Sequence, residues 1–324
     1  MSSAPHMGGG KPPLPVVILT GPTGAGKSDW AMRLAQDVPL EIISVDSAQV
    51  YRGLDIGTAK PTPEERERVP HHLIDIRDPS ESYSAGQFVT DAKRLIAEIR
   101  SRGRMPLLVG GTMLYLRSLL RGIADLPQGS AELRQSIDDR GAREGWPALH
   151  ADLARLDPEA AARIHPNDPQ RIQRALEVIH IAQRPLSELQ RSTQSALDEP
   201  ISLRWAIAPA DRAHLHARIE YRFRSMMSQG FLDEVTRLYE RRDLTEDHPA
   251  IRAVGYRQLW AYLSGQIPLE EAVIRSIAAT RQLAKRQLTW LRSDKEIRWL
   301  DSQADDAYKQ WNYDLRRELK ELGC

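Results

Sequence analysis

Short apolar runs alternate with segments of helical spacing in the first third of the chain. Residues 16–19, 41–46 and 105–109 are rich in β-branched and other apolar side chains, whereas Trp30 and Leu34 recur at a helical interval. Apolar runs of this length next to turn residues are typical of buried strands. The alternation predicts an α/β fold, a mostly parallel sheet flanked by helices on both faces. In such a sheet, ligands bind at the carboxyl ends of the strands.

Capping residues mark two helix starts. Ser84, with Gln87 three residues later, forms a capping box before a helix predicted to run to about Arg102. Asp168 followed by Pro169 marks a second start, because aspartate caps a helix and proline suits its first position. Four apolar residues form the predicted buried face of the first helix: Phe88, Ala92, Leu95 and Ile99.

The alternation of apolar strands and helices stops between about Gly122 and Pro200. This part is rich in arginine, glutamate and alanine at helical spacing and has no convincing strand. It therefore predicts an all-helical insertion domain over 123–200, inside a core domain made of 16–122 and 201–324.

The second part of the core domain carries fewer apolar runs. We expect a returning strand over 203–208, a long helix over 269–291, a short last strand over 297–300, and a polar terminal helix after it. Residues 1–15 contain glycine, proline and serine without an apolar core, so they are predicted to be a disordered lead-in.

Composition narrows the function classes. The 324 residues are 41% hydrophobic and 27% charged, with a formal net charge of +1, so only local patches could attract nucleic acid. The single cysteine, Cys324, excludes a disulfide framework and a thiolate metal site. No run of about eighteen apolar residues is present, which predicts no membrane span. We expect a cytoplasmic monomer.

A glycine-rich segment with the pattern G-x-x-x-x-G-K-S lies between the first predicted strand and helix. This is the phosphate-binding loop (P-loop) in its usual context: backbone N–H groups and a helix N-terminus converge on an anion. Its lysine supplies a point charge, and its serine hydroxyl can hold Mg²⁺ that bridges phosphate oxygens. The eight predicted diphosphate- or nucleotide-binding residues are Gly21, Pro22, Thr23, Gly24, Ala25, Gly26, Lys27 and Ser28, with Ser28 as the metal ligand.

Polar residues follow the two strands predicted beside the P-loop. Asp46 ends the second strand, where it could serve the site, cap a helix or hold the structure. Gly110, Gly111 and Thr112 end the third strand, where a ligand could approach the backbone and Thr112 could act at the site, cap the next helix, or both. Many P-loop enzymes place a magnesium-binding acid there.

Basic residues recur on the predicted helices. Arg218 and Arg222 share a face at four-residue spacing, which fits either a diphosphate clamp or an exposed basic face, and Glu220 lies on another face. Arg171 lies in a first helical turn, where either RNA phosphate or Asp168 could offset the helix dipole. Residues 252–257, with their tyrosine and arginines, and a stripe of Arg281, Lys285 and Arg292 fit either single-stranded RNA or solvent.

Taken together, these segments resemble the tRNA dimethylallyltransferases (isopentenyl-diphosphate:tRNA transferases) over about 16–300. The family usually has Ala-Ser at the positions of Gly24 and Ala25, so any contact from that serine is absent here. The segments that carry the resemblance are GPTGAGKS (21–28), VDSAQVYRGLDIGTAKP (45–61), PHHLID (70–75), YSAGQF (83–88), LLVGGTMLY (107–115), RIHPNDPQRIQRALEV (163–178), RAVGYRQ (252–258) and TRQLAKRQLTWLR (280–292).

The resemblance implies a transferase. It implies movement of the dimethylallyl group of dimethylallyl diphosphate to the exocyclic N6 amine of the adenosine 3′ of the anticodon, in tRNAs that read codons starting with U. The P-loop would then bind the diphosphate leaving group with Mg²⁺, which fits the missing acid after the third strand. The partners implied are the tRNA anticodon stem-loop and dimethylallyl diphosphate.

The resemblance also implies roles for individual residues. Asp46 resembles the general base, and Thr112 and Arg222 resemble residues that bind the diphosphate or position the reacting groups. The residues that resemble tRNA-contacting positions are Asp46, Ser47, Ala48, Gln49, Thr112, Arg134, Gln170, Arg171, Ile172, Gln173, Arg174, Arg252, Ala253, Val254, Gly255, Tyr256 and Arg257.

Two other functions share some of these features. A P-loop kinase of a small metabolite or nucleoside would use the same fold, with Asp46 as the base for an acceptor hydroxyl, but it would not need the arginine-rich helices. A non-catalytic RNA-binding or nucleotide-switch protein would keep the basic faces without needing Asp46 and Thr112 at the strand ends.

Overall fold

A computed structural model describes residues 13–124, 126–127, 129–191 and 202–323, and for Ser202 only the backbone. Most of the predicted lead-in, two residues near the start of the predicted insertion, the end of that insertion and Cys324 lie outside these residues. No helix in the described ranges has both the length and the apolar character that crossing a bilayer requires.

A six-stranded, fully parallel sheet forms the centre of the fold, which confirms the predicted α/β class. The strands lie in the order β3-β2-β4-β1-β5-β6, so the strand that leads into the P-loop is central. Their bounds are β1 Val16–Thr20, β2 Leu40–Val45, β3 His71–His72, β4 Met105–Gly110, β5 Ser202–Ala208 and β6 Arg298–Asp301.

Helices connect and flank the strands. In the described residues they are α1 Lys27–Leu34, α2 Pro63–Arg68, α3 Ala85–Ser101, α4 Met113–Arg121, α5 Ala131–Glu144, α6 Trp146–Leu156, α7 Pro158–Arg163, α8 Pro169–Ala182, α9 Leu186–Arg191, α10 Arg212–Ser228, α11 Phe231–Tyr239, α12 Tyr256–Leu263, α13 Leu269–Leu291 and α14 Ala307–Glu321.

The predicted helix starts have the expected hydrogen bonds. Ser84 Oγ accepts the N–H of Gln87 at 3.2 Å, and Gln87 Oε1 accepts the N–H of Ser84 at 2.8 Å, so the capping box of α3 is complete. The side chain of Asp168 caps α8 by accepting the N–H of Arg171 at 3.1 Å. Both starts are therefore confirmed, as is the long helix α13.

The register of the sheet aligns the carboxyl ends of β1, β2 and β4. Thr20, the last residue of β1, pairs with Gly110 of β4, and Gly110 pairs in turn with Val45, the last residue of β2. Because the strands are parallel, the residues that follow them emerge at one edge of the sheet. The P-loop, Asp46 and Thr112 therefore share that edge.

The chain divides into two compact units, each with its own core. The sheet unit comprises the described residues up to Leu116 and those from Ser202 onward. The helical unit comprises the described residues of Arg117–Asp198, and the predicted insertion falls on it. The core of the helical unit includes Leu149, Leu153 and Ile172, all fully buried.

The terminal helix α14 is more closely packed than its polar sequence indicates. Trp311 and Leu315 are fully buried against the sheet unit. Trp311 lies between two other indoles, with ring centroids 5.5 Å from Trp30 and 6.3 Å from Trp205. Aromatic residues of this size dominate core energetics, so α14 is part of the sheet unit's core.

Candidate active site

The P-loop connects β1 to α1 in a tight turn. Gly24 and Gly26 have φ angles of +82° and +94°, which side chains other than glycine rarely adopt. A Cβ atom on Gly21 would lie 2.2 Å from the carbonyl oxygen of Ile207, so only glycine allows β5 to approach the loop. The first N–H groups of a helix have no partner within the helix, so the N-terminus of α1 can bind an anion.

Lys27 folds back over the loop. Its Nζ donates hydrogen bonds to the carbonyls of Gly21 at 3.0 Å and Pro22 at 2.9 Å. Burial and, to a smaller extent, the neighbouring charge of Arg222 lower the pKa of Lys27 to about 8, against the opposing effect of Asp46. The lysine is thus a cation whose charge is costly until an anion binds beside it.

Ser28 lies in the first turn of α1 and is exposed. Its hydroxyl makes no hydrogen bond with any described residue, so it is free to bind an ion. No group of three or more carboxylate, histidine or cysteine side chains among the described residues could hold a metal. A hard, oxygen-only site completed by ligand phosphates is the arrangement that Mg²⁺ prefers, and the Ser28 hydroxyl fits it.

Asp46 follows β2 directly. Its Oδ1 accepts the N–H groups of Ala48 at 2.8 Å and Gln49 at 3.3 Å, which fixes the carboxylate in a local turn. No hydrogen bond or ion pair from the described residues reaches its Oδ2. The structural and functional interpretations of Asp46 are therefore compatible, because each uses a different oxygen.

Thr112 joins the ends of β4 and β2. Its N–H donates to the carbonyl of Val45 at 3.0 Å, and its Oγ1 accepts the N–H of Ser47 at 3.0 Å. The hydroxyl thus binds the Asp46 loop and does not cap α4. Because the hydrogen bond that Thr112 Oγ1 donates to the exposed Ser47 Oγ is long, at 3.4 Å between the oxygens, the hydroxyl stays available to a ligand at the mouth of the site.

The two glycines before Thr112 are needed for packing. A Cβ atom on Gly110 would lie 2.2 Å from the Val45 carbonyl oxygen, and one on Gly111 would lie 2.5 Å from Nε2 of Gln287. β2 and α13 therefore fill the space beside both glycines and leave no room for a side chain there. That a ligand could approach this backbone closely stays a prediction.

Two arginines of α10 face the P-loop. Nη2 of Arg218 lies 3.5 Å from the position of a Cβ atom on Gly26. Arg222 is half-buried and has no ion pair or hydrogen bond among the described residues; burial and the charge of Arg218 lower its pKa, and Asp46 and Asp29 raise it. Glu220 binds Arg224 and Arg281 instead, as its position on another face predicted.

Sequence reasoning missed two residues of this site. The four-residue spacing marked Arg218 and Arg222 as a possible diphosphate clamp and did not show which of them faces the diphosphate, so Arg218 was left out of the assigned roles. Gln287 was not considered, although its place between Ala284 and Leu291 puts a polar side chain on the buried face of α13. It lies between the P-loop and Gly111.

Residues 252–257 are only partly at the surface. Arg252 and Arg257 are exposed, but Tyr256 is fully buried, 4.9 Å from the Phe231 ring, and its hydroxyl donates to Glu234 at 2.6 Å. The idea that Tyr256 stacks on an RNA base is therefore wrong, because packing and a hydrogen bond hold its ring in the core. Gln49 is likewise occupied, binding Ser44 and two loop carbonyls.

The predicted RNA-binding residues of the helical unit lie in different environments. Ile172 belongs to the core, so its side chain is unavailable to RNA. Arg134 and Arg174 bind Glu177, a carboxylate with no solvent exposure. The predicted residues left at or near the surface include Gln170 and Arg171, which are exposed, and Gln173, which binds Asp138. Arg171 also pairs with Asp168 at 3.4 Å.

Fold and site together define a class. A parallel sheet whose central strand runs into a glycine-rich turn, with a lysine and a serine opening the next helix, is the fold of the P-loop phosphate-binding proteins. Within that class, the model of the IPP transferase family matches residues 49–294. The chain belongs to the IPP transferase family.

Relatives support this assignment over nearly the whole chain. A tRNA dimethylallyltransferase of Methylococcus capsulatus is 58% identical over 288 residues, which cover 89% of this chain and 92% of that protein. A tRNA dimethylallyltransferase of Bordetella petrii is 57% identical over 297 residues, covering 90% and 94%.

Solved structures agree with the sequence relatives. The full-length tRNA isopentenylpyrophosphate transferase of Bacillus halodurans superposes with a TM-score of 0.70 at 37% identity, covering 95% of this chain and 98% of that one. A eukaryotic dimethylallyltransferase captured acting on tRNA gives a TM-score of 0.77 at 29% identity, covering 93% and 77%.

Proposed function

We propose that the protein transfers the dimethylallyl group of dimethylallyl diphosphate to N6 of the adenosine 3′ of the anticodon, in tRNAs that read codons starting with U. The products are N6-(dimethylallyl)adenosine and diphosphate. The observation that carries the proposal is the clustering of charges at the P-loop: Arg218 lies beside Gly26, and Lys27 and Arg222 lie near enough to Asp46 to feel its charge. The names of the relatives support tRNA as the acceptor and dimethylallyl as the transferred group, whereas the diphosphate donor and the target adenosine belong to the proposal.

The cations suit the leaving group. In the reaction, the bond between the allylic C1 and a diphosphate oxygen breaks, and its electron pair leaves with the diphosphate. P-loop N–H groups, Lys27 and the two α10 arginines would stabilise that developing charge in a site of limited solvent access. Mg²⁺ held by Ser28 and the diphosphate would neutralise further charge on the leaving group.

Asp46 suits the acceptor. The N6 lone pair forms the new C–N bond, and an N6 proton passes to the carboxylate. Because Oδ1 is held by two backbone N–H groups, Oδ2 has a fixed direction and needs little reorganisation. Thr112, bound to the same loop, would position the amine or the donor.

The strand ends fit prenyl transfer better than phosphoryl transfer. β4 ends in Gly110, followed by Gly111 and Thr112, whereas P-loop enzymes that act on a γ-phosphate commonly hold Mg²⁺ with a carboxylate there. A diphosphate that simply leaves needs charge neutralisation but no activated water or hydroxyl. The small-metabolite kinase is therefore the weaker candidate.

RNA binding would use exposed basic and polar side chains, and each of the two units carries some of them. Arg252 and Arg257 are exposed on the sheet unit, and Gln170 and Arg171 are exposed on the helical unit. An anticodon loop is single-stranded, so its target base leaves the stack at small cost.

A defined substrate pair tests the activity and its position. The protein is incubated with dimethylallyl diphosphate, Mg²⁺ and an unmodified tRNA, or with the same tRNA carrying guanosine in place of the adenosine 3′ of the anticodon. Mass spectrometry of the digested RNA should show N6-(dimethylallyl)adenosine only in the first. Equal product in both tRNAs would contradict the proposed position, and product in neither would contradict the activity.

A further inference from the structure

Gln287 of α13 lies behind the two loops that form the site. Its side chain is 7% exposed, which is unusual for a glutamine on a helix of a protein this size. Its Oε1 accepts the N–H of Thr23 in the P-loop at 2.9 Å. Its Nε2 donates to the carbonyl of Gly111 at 2.7 Å. One amide group therefore binds both loops.

The two loops start from strand ends that are joined by the Thr20 Oγ1 hydrogen bond to the Gly110 carbonyl at 2.9 Å, and Gln287 adds a link further along both loops. Thr23 lies in the middle of the P-loop, and Gly111 directly precedes Thr112. Gly111 has no side chain, and a Cβ atom there would lie 2.5 Å from Nε2, so the sequence at 111 leaves room for this glutamine. The glutamine side chain and the glycine backbone therefore fit each other in shape and in hydrogen bonding.

We infer that Gln287 is a positioning residue that fixes the diphosphate cradle relative to Thr112. This inference rests on the proposed function, because it assumes that the P-loop binds a diphosphate. Gln287 satisfies the Thr23 N–H, and the Pro22 carbonyl accepts the Ala25 N–H at 3.2 Å, so both N–H groups hold the shape of the loop. By holding Gly111, Gln287 also fixes the distance from the bound diphosphate to Thr112 and to the loop of Asp46, which Thr112 binds.

A side chain in this role needs both a donor and an acceptor. Methionine has a similar length and flexibility but offers neither group in useful strength, so Gln287→Met removes both hydrogen bonds with little change in packing. Gln282 lies on the same helix and is exposed, so Gln282→Met is the matched control.

Binding of inorganic diphosphate with Mg²⁺, measured by calorimetry on the full chain, distinguishes a positioning role of Gln287 from a purely structural one. We expect Gln287→Met to weaken binding by about tenfold, which corresponds to about 1.4 kcal/mol. We expect kcat to fall while KM for tRNA stays near that of Gln282→Met, and the thermal midpoint to fall as well, because two buried backbone groups lose their partners. A purely structural role would lower the midpoint and leave the affinity of the folded protein unchanged.

The two proposals fail differently. If the unmodified protein does not bind diphosphate, the donor site itself is wrong. If it binds and Gln287→Met binds equally well with unchanged kcat, the positioning role is wrong.

If Gln287→Met does not fold, a second variant tests the inference. Gln287→Glu keeps an acceptor for Thr23 but loses the donor to Gly111. Hydrogen exchange should then stay slow in 21–26 and become faster in 110–112, compared with the unmodified protein. Unchanged protection of 110–112 would overturn the inference.

Discussion

Asp46 has two carboxylate oxygens in different surroundings. Oδ1 accepts two backbone N–H groups of its own turn, whereas no described residue binds Oδ2. A substitution that keeps the first oxygen and removes the basicity of the second separates structure from chemistry. Asparagine does so, because its amide oxygen can accept the same N–H groups.

We expect Asp46→Asn to bind tRNA normally and to lose turnover by about 10²–10⁴-fold, the usual contribution of a general base. Single-turnover transfer of labelled prenyl groups measures the loss, and filter binding measures RNA affinity. Asp305→Asn, an exposed position on another loop, is the control. Turnover of Asp46→Asn within about twofold of the control would show that Asp46 is not the base.

The pKa of Lys27 predicts a pH dependence. Because burial lowers it to about 8, the ligand-free protein loses this charge as the pH rises through 8, well below the usual range for lysine. An anion binds the protonated form more tightly, so affinity for Mg²⁺-diphosphate should fall as the pH rises from 7 to 9.

Arginine at this position stays charged throughout that range, which supplies the control. Lys27→Arg should show a flatter affinity profile than the unmodified protein, after the common titration of the ligand is subtracted. Parallel profiles for the two proteins in calorimetric titrations would contradict the lowered pKa.

How well the sequence predicts a residue depends on what defines its role. The P-loop residues, Asp46 and Thr112 are set by a local motif or by the end of a strand, so their shared location could be predicted. Gln287 and Tyr256 depend on which neighbours pack against them. A sequence does not show that a tyrosine beside two arginines turns inward to a buried carboxylate, so its stacking role was predicted wrongly.

Among the elements, one buried carboxylate joins the loop after β2 to helices α11 and α12. Glu234 accepts the N–H groups of Asp55 at 3.0 Å, Ile56 at 2.7 Å and Gly57 at 3.1 Å, in addition to the Tyr256 hydroxyl. Four donors satisfy a carboxylate that is 1% exposed. This cluster holds the 55–61 loop, whose carbonyls at Thr58 and Ala59 bind Gln49 beside Asp46.

Glu234→Gln should therefore destabilise the protein by about 2–4 kcal/mol, because an amide NH₂ would face backbone donors and leave a buried group unsatisfied. Urea unfolding measures the change. Glu240→Gln, at the exposed end of the same helix, should stay within about 0.5 kcal/mol of the unmodified protein. A change of that small size for Glu234→Gln would contradict the role of the carboxylate.

Predictability also differs between elements. Strands with continuous apolar runs and the helices that Ser84 and Asp168 cap were found within one or two residues, since their signals are local. Helix α2 was not predicted, although Thr62 and Glu65 form a capping box at its start. The terminal helix α14 was expected to be simply polar. Two of its residues, Trp311 and Leu315, nevertheless fill a space left by Trp30 and Trp205, and that space exists only in the folded sheet unit.

For the whole molecule, a net charge of +1 hides local concentrations of cations. Many arginines are already paired, such as Arg134 with the buried Glu177 of the helical unit. Arg252 and Arg257 are exposed on the sheet unit and have no ion pair within the described ranges. RNA affinity should therefore depend on a few identifiable side chains.

Salt titration of tRNA binding tests this point. Replacing either Arg252 or Arg257 by alanine should reduce the slope of log affinity against log salt by about 0.7, the value for one phosphate contact on a single strand. Arg94→Ala is the control, because Arg94 pairs with Glu98 at 2.9 Å on α3. Equal slopes for all three variants would remove these residues from the interface.

The central claim is that the P-loop holds a diphosphate that leaves its donor. Dimethylallyl diphosphate labelled with ¹⁴C in the prenyl group and ³²P in the diphosphate tests it most directly, in single-turnover reactions with unmodified tRNA. We predict that ¹⁴C enters the RNA and that ³²P appears as free diphosphate in equal amounts. Transfer of ³²P to RNA or to a small acceptor, or release of ³²P without ¹⁴C in the RNA, would contradict the account.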